Sequence, residues 1–398
     1  MKNSILNISF LILILITIGC DKRDTLIYSL DSPYPISDDQ FSIDTLISGF
    51  AVPYGLVFLS ENDFLISDRV GKIFRFKNET LKEISGAPEV LTFKDPGLPM
   101  IVHGGLMDLS LHPNYPQVPW IYVAYFGKDE RGKVARFKLI NDEILDFENI
   151  FQTRTIGYYG NGMRIVWQDD SHFFLNIGAS NYTTKEKPIM VSQDLNEDWG
   201  KIHRLNQDGS IPIDNPFIEG QSQNPTSIYS YGHRDVQSLI LEPSTQILYG
   251  IEHGPKGGDE LNQILPGKNY GWPIFTYGIH YDGQTVSLIS EDSASKISVL
   301  PMHYWTVPTS DGGRAIAPSN AILVKNSSIS DWNDHFLVTS LAFRRLLKYN
   351  PDTDETYGLK IEGRIRSLFQ ESDGNILLLV ERNDLTRDNG MLVRVKKK

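Results

Sequence analysis

The sequence predicts an all-β fold, a six-bladed β-propeller with long inter-strand loops at one end of its channel. From residue 41 onward, apolar runs of strand length alternate with polar turns, and no convincing amphipathic helix of ten or more residues interrupts them. The 32 glycines, 18 tyrosines and 19 phenylalanines are typical of tight turns between aromatic strands. The strand pairs number six, one for each expected blade.

These strand pairs are irregularly spaced. They begin near residues 64, 120, 172, 247, 334 and 374. The spacing of 40 to 87 residues fits blades with long inserted loops better than a repeat of fixed length. A large β-sandwich or two stacked β-domains are the alternatives. Residues 41–48 would supply the outer strand that closes the ring against the last blade.

The first twenty residues read MKNSILNISFLILILITIGC, with an apolar run over residues 8–18. This run is too short to span a membrane as a helix and fits the core of a signal peptide. The small Gly19 before Cys20 is typical of a bacterial lipoprotein signal, which would make Cys20 the lipidated first residue of the mature protein. A plain secretory signal or a short N-terminal anchor is the alternative. We expect polar residues 21–40 to form a tether and residues 41–398 to form one propeller domain.

Charge and cysteine content narrow the class of protein. The formal net charge is -11, with no basic block outside the C-terminal lysines, so we expect no nucleic-acid partner. Cys20 is the only cysteine, which excludes a disulfide framework, a cysteine-ligated metal and a C-x-x-C-H haem motif in the mature domain. We expect a protein of the cell envelope, anchored by its lipid and facing the periplasm or the exterior, or else secreted.

Residues 251–273, IEHGPKGGDELNQILPGKNYGWP, combine turn-forming residues with two adjacent carboxylates. Glycine and proline turns expose backbone carbonyls, and Asp259 and Glu260 add negative charge. Calcium takes about six to eight oxygen ligands of these kinds. The segment is therefore a candidate cation site, and an acidic solvated turn is the alternative.

Several arginines lie near the ends of strands in different blades. They are Arg234, Arg344, Arg345, Arg364 and Arg366. The last two are separated by one residue, which on a strand places both side chains on one face. Guanidiniums bind carboxylates and phosphates in bidentate pairs, so a converging set would suit an anion. For each arginine alone, a surface or packing role is the alternative.

Five segments occur together in this chain: GGLMDLSLHPNY, GKIHRLNQDGSIPIDNPF, YGHRDVQSL, EHGPKGGDELNQILPGKNYGWP and GRIRSL. In sequence and order they resemble the soluble pyrroloquinoline quinone (PQQ)-dependent aldose sugar dehydrogenases, also called glucose/sorbosone dehydrogenases. The resemblance extends over about residues 43–395. It implies a six-bladed propeller that holds PQQ over the channel mouth, with calcium beside it. It also implies a small-molecule sugar substrate and a separate electron acceptor.

The resemblance implies a role for each matching residue. The implied metal-binding set is Gly254, Pro255, Asp259, Glu260 and Tyr270. The implied cofactor-binding set is His103, Arg164, Arg234, Asp235, His253, Gly254, Pro255, Trp305, Arg344, Arg345, Arg364 and Arg366. Gly254 and Pro255 would turn their carbonyls to the calcium, and Arg234 would lie over the reactive quinone carbonyl. Trp305 would pack against the cofactor plane.

Three positions depart from the family pattern. In the stretch GNGMRIVW, Gly160 stands where the family has its base histidine. His103 stands where a glutamine is usual, and Asp235 stands where an asparagine is usual. In one hypothesis the protein is a working dehydrogenase in which His103 or His253 takes the proton from the sugar hydroxyl. In the other it keeps the propeller and the calcium but acts as a sugar- or ligand-binding module.

Overall fold

The computed structural model describes residues 41–92, 104–156, 162–179, 190–217, 226–306, 314–327, 329–361, 363–381 and 388–398. Within these residues, 24 strands form six four-stranded antiparallel sheets. The prediction of an all-β fold with six blades is therefore confirmed. The predicted signal peptide, Cys20 and the tether lie outside the described residues.

Each blade contributes four consecutive strands, except that the last blade takes its outer strand from the start of the domain. The strands are β1 (Phe41–Phe50), β2 (Pro53–Ser60), β3 (Asp63–Asp68), β4 (Lys72–Lys77), β5 (Thr80–Glu83), β6 (Leu106–Leu111), β7 (Ile121–Phe126), β8 (Gly132–Ile140), β9 (Glu143–Gln152), β10 (Ile165–Trp167), β11 (His172–Ile177), β12 (Lys201–Asn206), β13 (Ile228–Tyr231), β14 (Val236–Leu241), β15 (Leu248–Glu252), β16 (Asp259–Ile264), β17 (His303–Trp305), β18 (Pro318–Leu323), β19 (Phe336–Ser340), β20 (Arg345–Asn350), β21 (Glu355–Lys360), β22 (Arg364–Gln370), β23 (Ile376–Glu381) and β24 (Gly390–Lys397). Blades 1 to 5 contain β2–β5, β6–β9, β10–β13, β14–β17 and β18–β21, and blade 6 contains β22, β23, β24 and β1.

Helical structure in the described residues is limited to short segments. One α-helical turn, α1 (Glu291–Ala294), follows Ser290, whose side chain accepts the N–H of Ser293. Two 3-10 turns span Met190–Ser192 and Ser330–Trp332. None of the helices described is long and apolar enough to cross a membrane.

The ring is closed by its first strand, as predicted. Strand β1 pairs antiparallel with β24, from Phe41 opposite Lys397 to Phe50 opposite Gly390. Phe50 is fully buried in a cluster that joins blade 1 to blade 6, where it meets residues such as Leu56 and Leu377. The two ends of the domain thus share one sheet, which removes the free edge that an open ring would leave.

The first strands of neighbouring blades pack against each other around a complete circle, from β2 through β22 and back to β2. This closed ring rules out the sandwich and two-domain alternatives. Every seam between blades also carries a hydrogen bond that joins a side chain to a backbone group. The six pairs are Ser67 with the Met107 carbonyl, Asp108 with the Ile165 N–H, Asn176 with the Val236 carbonyl, Ser238 with the Ala321 carbonyl, Ser319 with the Ile365 carbonyl, and Ser367 with the Tyr54 carbonyl. These bonds fix the blades relative to each other, because breaking a buried one costs about 1–3 kcal/mol.

Two kinds of connection meet at one end of the ring, which we call the mouth. Because neighbouring strands of a blade are antiparallel, the turn between its second and third strands lies at the same end as the start of its first strand. The mouth therefore collects residues 69–71, 253–258 and 341–344, together with the residues just before β6, β10, β14, β18 and β22.

Residues 265–302, between β16 and β17, form an insert that also reaches the mouth. It runs beside the end of β13, where Tyr231 and Asn269 form a parallel bridge. The Trp272 N–H then donates to the Gly232 carbonyl at 2.8 Å. The insert thereby brings Trp272 next to the residues that precede β14.

Candidate functional site

Arg234 precedes β14 and is fixed through both its backbone and its side chain. Its N–H donates to Glu252 Oε2 at 2.8 Å. Its guanidinium carbon lies 5.3 Å from the Trp272 ring centroid, and Nη1 donates to the His253 carbonyl at 3.2 Å. Arg234 Nε is buried without a hydrogen-bond partner among the described residues. A buried N–H group of this kind is suited to a hydrogen-bond acceptor on a bound ligand.

Glu252, the last residue of β15, organises this side of the mouth. Besides the Arg234 N–H, its carboxylate accepts hydrogen bonds from His233 Nδ1 at 3.2 Å and Asn262 Nδ2 at 3.0 Å. His233 Nε2 in turn accepts from the Ser230 hydroxyl at 2.9 Å. All of these side chains are buried. The network therefore holds the peptide group that carries Arg234 in one position.

Arg364 and Arg366 of β22 both contact Glu381 of β23, although the register of the strand pair shifts between Ile365 and Ser367. Arg366 Nε and Nη2 contact Glu381 Oε2, and Arg364 Nε lies 3.9 Å from Oε1. Burial raises the pKa of Glu381, but the charges of Arg366 and Arg364 outweigh this effect and leave the pKa below its ordinary value. Arg364 Nε is a further buried donor without a hydrogen-bond partner among the described residues.

Arg69 is a mouth residue that sequence reasoning misses. It lies between β3 and β4, is 6% exposed, and donates from Nε to the Gly104 carbonyl at 2.8 Å. Burial and the nearby Arg366 charge lower the pKa of Arg69 to about 10. Its position in the chain could have indicated Arg69, because it lies in the turn between the second and third strands of blade 1. Residues 253–258 form the corresponding turn in blade 4. Glu252 and Glu381 are missed too, because each reads as the polar end of an apolar strand.

Asp259 and Glu260, both predicted as metal ligands, are the first two residues of strand β16 rather than part of a loop. Successive side chains of a strand point to opposite faces. Asp259 is fully buried and accepts the N–H groups of Gly254 and Ala317, each at 3.0 Å. Burial raises its pKa to about 7. Asp259 thus ties the Gly254 turn to blade 5, and its role as a metal ligand stays a prediction.

Glu260 faces Glu252 across the β15–β16 pair, and Asn262 donates to both carboxylates. Burial, together with the Glu252 charge, raises the pKa of Glu260 well above its ordinary value. A cation would relieve the repulsion between these carboxylates. The described residues contain no group of three or more His, Cys, Asp or Glu side chains that could hold a metal. Backbone carbonyls would therefore have to complete a calcium site here.

Gly254 and Pro255 occupy the mouth turn between β15 and β16. This turn folds back tightly, because a Cβ built on Gly254 would lie 2.2 Å from the Gly257 carbonyl oxygen and 2.4 Å from that of Gly258. No larger residue than glycine fits at that position. The turn therefore concentrates backbone oxygens close to the start of β16, which is the kind of donor predicted for this segment.

A narrow cavity of about 10 Å³, roughly the space of one water molecule, lies between blade 4 and the insert. Its walls include Arg234, Glu252, His253, Glu260, Tyr270 and Trp272. A guanidinium, carboxylates and aromatic rings thus share one cavity. A larger groove of about 250 Å³ lies beside Phe41 and Trp332, and it is lined by none of the predicted site residues.

Tyr270 and Trp305 each make hydrogen bonds that tie parts of the fold together. The Tyr270 hydroxyl donates to the Gln263 carbonyl at 2.6 Å and accepts the Leu265 N–H at 2.8 Å, so it ties the insert to the end of β16. Trp305 is 2% exposed in the core between blades 4 and 5, and its Nε1 donates to Thr356 Oγ1 at 3.2 Å. A cofactor plane could reach Trp305 only if this core opened, which corrects its predicted role as a cofactor contact.

His253 and Asp235 lie side by side near Arg234. His253 Nε2 donates to the Pro318 carbonyl, and Nδ1 lies 3.7 Å from Asp235 Oδ2. Burial and then the Arg234 charge lower the pKa of His253 to about 3, so its ring is neutral. Both ring nitrogens face protein atoms, and this geometry does not support the prediction of His253 as the base. Asp235 itself is fully buried and accepts the Gly162 N–H at 3.0 Å.

Arg164, which precedes β10 in blade 3, donates to the first strands of all five other blades. Its acceptors are the Tyr54 carbonyl at 3.3 Å, Asp108 Oδ1 at 3.2 Å, the Gln237 carbonyl at 3.1 Å, the Ser319 carbonyl at 3.1 Å, Ser367 Oγ at 2.7 Å and the Arg366 carbonyl at 3.3 Å. A side chain that reaches every blade lies at the centre of the ring. All three of its nitrogens have protein acceptors, so its predicted role as a cofactor ligand is corrected to one in the channel.

Arg344 and Arg345 lie at the mouth end of blade 5, the same end as Arg364 and Arg366. Arg344 closes the turn before β20 with a φ of 52°, and its carbonyl accepts the Ile361 N–H at 3.1 Å. Arg345 begins β20 opposite Lys360, and both arginines are half-buried. Two other predicted positions, His103 and Gly160, lie outside the described residues.

The chain is similar over most of its length to proteins of one family. Residues 50–394 match the Glucose / Sorbosone dehydrogenase family. The aldose sugar dehydrogenase YliI of Escherichia coli is 29% identical over 358 residues, which cover 83% of this chain and 90% of that protein.

Solved structures share the fold. The soluble aldose sugar dehydrogenase from Escherichia coli, in its apo-form, has a TM-score of 0.76 at 27% identity and covers 90% of this chain and 100% of its own. The PQQ-bound aldose sugar dehydrogenase from Streptomyces coelicolor has a TM-score of 0.66 at 23% identity and covers 91% of this chain and 100% of its own.

Proposed function

Because the chain belongs to the glucose/sorbosone dehydrogenase family, a family of PQQ-type sugar dehydrogenases, we propose that it oxidises an aldose sugar with PQQ and calcium as cofactors. One observation carries the proposal. Arginines from blades 4 and 6, Arg234 and Arg364, present buried donors without hydrogen-bond partners among the described residues at a single mouth. The aldose sugar dehydrogenase from Streptomyces coelicolor, which has a similar fold, has been solved in a PQQ-bound form.

The residues of the mouth fit an anionic quinone. PQQ carries carboxylates, which guanidiniums bind through paired hydrogen bonds. Arg364 and Arg366 would hold these carboxylates, and Arg234 would lie beside the quinone oxygen. When bound, the quinone supplies the centre that accepts a hydride from the sugar carbon. Arg234 would stabilise the negative charge that develops there, because Glu252 and Trp272 already fix its position.

Calcium would be held by other residues that line the same cavity. Glu260 would supply a carboxylate, and the turn at residues 254–258 would supply carbonyl oxygens. The positive charge would offset the repulsion between Glu252 and Glu260, and the ion would serve as a Lewis acid. The cavity therefore offers an arginine and a cation site within one set of walls.

Oxidation also requires a base that takes the proton from the sugar hydroxyl. Gly160 has no side chain for this task, and the nitrogens of His253 face Pro318 and Asp235. His103 is the remaining histidine that the resemblance places beside the cofactor. We therefore assign the role of base to His103.

The test is reconstitution of the purified chain with PQQ and calcium. We expect the absorbance of bound PQQ to appear and a panel of aldoses to drive dye reduction. Arg234→Gln should lower kcat about 100-fold, because it removes a charged donor aimed at the developing charge. Lys82→Gln, on the exposed edge of blade 1, is the control and should match the parent protein. Absence of both PQQ binding and dye reduction would contradict the proposal.

His103→Ala tests the base. We expect kcat to fall about 100-fold, with calcium affinity unchanged by isothermal titration calorimetry. His280→Asn, a half-buried histidine of the insert, is the matched control. An unchanged rate would remove His103 from the mechanism. PQQ binding without any sugar oxidation by the parent protein would instead favour the second function, a ligand-binding propeller, for which Gly160 is the motivating observation.

A further inference from the structure

Glu381 occupies a special place in the group of arginines at the mouth. It is the last residue of β23, lies opposite Arg364 in the β22–β23 pair, and is 3% exposed. One carboxylate oxygen takes both Nε and Nη2 of Arg366, and the other faces Arg364 at 3.9 Å. A single buried carboxylate thus sets the direction of two guanidiniums from the same strand.

The contact with Glu381 leaves part of Arg366 for another partner. A guanidinium has two edges that can each bind a carboxylate through two N–H groups. Glu381 uses the edge formed by Nε and Nη2, so Nη1 is directed away from it. The Arg366 side chain is 14% exposed, compared with 4% for Glu381.

Arg69 approaches the same group from blade 1. Its Nε is fixed by the Gly104 carbonyl at 2.8 Å, and its own carbonyl accepts the Leu106 N–H at 3.4 Å. Gly105 makes this approach possible, because its φ is +98° and a Cβ there would lie 2.0 Å from the Arg69 carbonyl oxygen. Arg69 follows β3 and Glu381 ends β23, and these are the second strands of two adjacent blades, so both residues lie at the mouth.

Asp68 precedes Arg69 and has a different role from Glu381. It directs its carboxylate oxygens to the N–H groups of Ala51 at 2.7 Å and Val52 at 3.0 Å. The Asp68 carboxylate therefore fixes the segment before β2, whereas the Glu381 carboxylate contacts two guanidiniums.

We propose that Arg69 joins Arg364 and Arg366 in one site for a carboxylate group of the ligand, and that Glu381 is the positioning residue of this site. The inference rests on the proposed function for the identity of the ligand, PQQ. The class of ligand that this site would bind is broader than PQQ, because its arginines would recognise any polycarboxylate anion.

The direction in which Glu381→Gln changes the affinity for PQQ distinguishes a positioning role of Glu381 from a purely electrostatic one. Glu381→Gln removes a negative charge beside the arginines, which by charge alone would tighten the binding of an anion. If Glu381 orients Arg366, the same change releases that guanidinium and weakens binding. We expect the affinity for PQQ to fall about tenfold, with partial recovery in Glu381→Asp.

The binding measurements use the full chain with two probes, PQQ and citrate, which is a tricarboxylate without quinone chemistry. Arg69→Gln should weaken the binding of both probes about tenfold. Glu371→Gln is the matched control for Glu381, because Glu371 also binds an arginine of blade 6, Arg394 at 2.6 Å, but follows the opposite end of β22. Arg75→Gln, an arginine of blade 1 paired with Asp63, is the control for Arg69.

The outcomes are distinct. Equal or tighter PQQ binding by Glu381→Gln would overturn the positioning role, and unchanged binding by Arg69→Gln would remove Arg69 from the site. If the parent protein binds citrate through Arg69 but does not bind PQQ, the proposed function fails while the anion site stands. If it binds neither probe, both proposals fail. Thermal melting identifies a variant that does not fold, in which case Glu381→Asp and Arg69→Gln decide the result.

Discussion

His203 shows how burial sets the chemistry of a single residue in this protein. It lies on β12, is fully buried, donates from Nε2 to the Asp198 carbonyl at 2.9 Å, and accepts the Ser227 hydroxyl on Nδ1 at 2.8 Å. Burial lowers the pKa of His203 from 6.5 to about 4, and the Asp198 charge opposes this effect only in part. The ring is therefore neutral in the folded protein at pH 6.

This depressed pKa makes stability depend on pH. Between about pH 6.5 and pH 4 the unfolded chain takes up a proton at His203 that the folded protein does not, so the free energy of unfolding falls as the pH falls. From pH 7 to pH 4.5 we expect His203 to contribute a loss of about 2 kcal/mol. Urea unfolding of the parent protein and of His203→Asn at both pH values measures this contribution as a difference.

The same pair of measurements on His280→Asn provides the control, since His280 is half-buried in the insert. Its difference from the parent protein should change little between the two pH values. If the His203→Asn difference is also independent of pH, then the folded protein accommodates the charged ring and the assignment of a neutral His203 is wrong.

At the residue scale, the sequence predicts those side-chain contacts that depend on residues close together in the chain. The spacing of Arg364 and Arg366 predicts a shared face of β22, and both side chains contact Glu381 although the register shifts at Arg366. The role of Asp259 could not be predicted in this way, because its partner Ala317 is 58 residues away and in another blade. Arg164 is similar, since its acceptors lie on five other blades.

At the element scale, the sequence best predicts the strands in the middle of a blade, which are its second and third strands. Five of the six predicted units correspond to the second and third strands of a blade, from β3 and β4 to β23 and β24, and the unit near residue 247 corresponds to the second strand β15. Second strands are covered on both faces, and β3, β7 and β23 are buried throughout. Continuous burial requires continuous apolar sequence, which is the pattern that identifies a strand without knowledge of its neighbours.

The first and fourth strands carry weaker signals. The outer strand β5 is mostly exposed, and β9 has only Ile144 buried along ten residues, so neither needs an apolar run. The inner strand β10 and the outer strand β17 are three residues long. The insert at residues 265–302 is held by backbone bonds to blade 3, which no local pattern reveals.

The division of Asp259 from Glu260 also belongs to the element scale. Adjacent acidic residues suggest a shared site when they lie in a loop, but a strand separates their side chains. One carboxylate then ties the Gly254 turn to blade 5, and the other faces Glu252 and the cavity. The sequence alone does not reveal strand β16, because the strand lies in a segment rich in glycine that resembles a loop.

At the scale of the whole molecule, the ring depends on a guanidinium at its centre. Arg164 is 4% exposed, stacks 3.9 Å from the Tyr54 ring centroid, and pairs with Asp108 at 3.2 Å. Burial raises the pKa of Asp108, whereas the Arg164 charge acts in the opposite direction. Because Arg164 also donates to the Arg366 carbonyl at 3.3 Å, the centre of the ring is joined directly to the arginines at the mouth.

Replacing Arg164 with methionine should therefore destabilise every blade at once. The change leaves the Asp108 carboxylate and several carbonyls buried without their donor, and we expect a loss of about 3–5 kcal/mol in the free energy of unfolding. Arg136→Met is the control, since Arg136 pairs with the exposed Glu148 and should contribute less than about 1 kcal/mol. Urea unfolding followed by far-ultraviolet circular dichroism measures both.

The double variant Arg164→Met with Asp108→Asn tests whether the lost charge pair is the cause. Removing the carboxylate as well eliminates the uncompensated charge, so the double variant should be more stable than the sum of the single effects by roughly 1–3 kcal/mol. Simple additivity would contradict this account and assign the loss to the carbonyl acceptors instead. In either case PQQ affinity should fall with Arg164→Met, because the Arg366 carbonyl loses the donor that links the mouth to the centre of the ring.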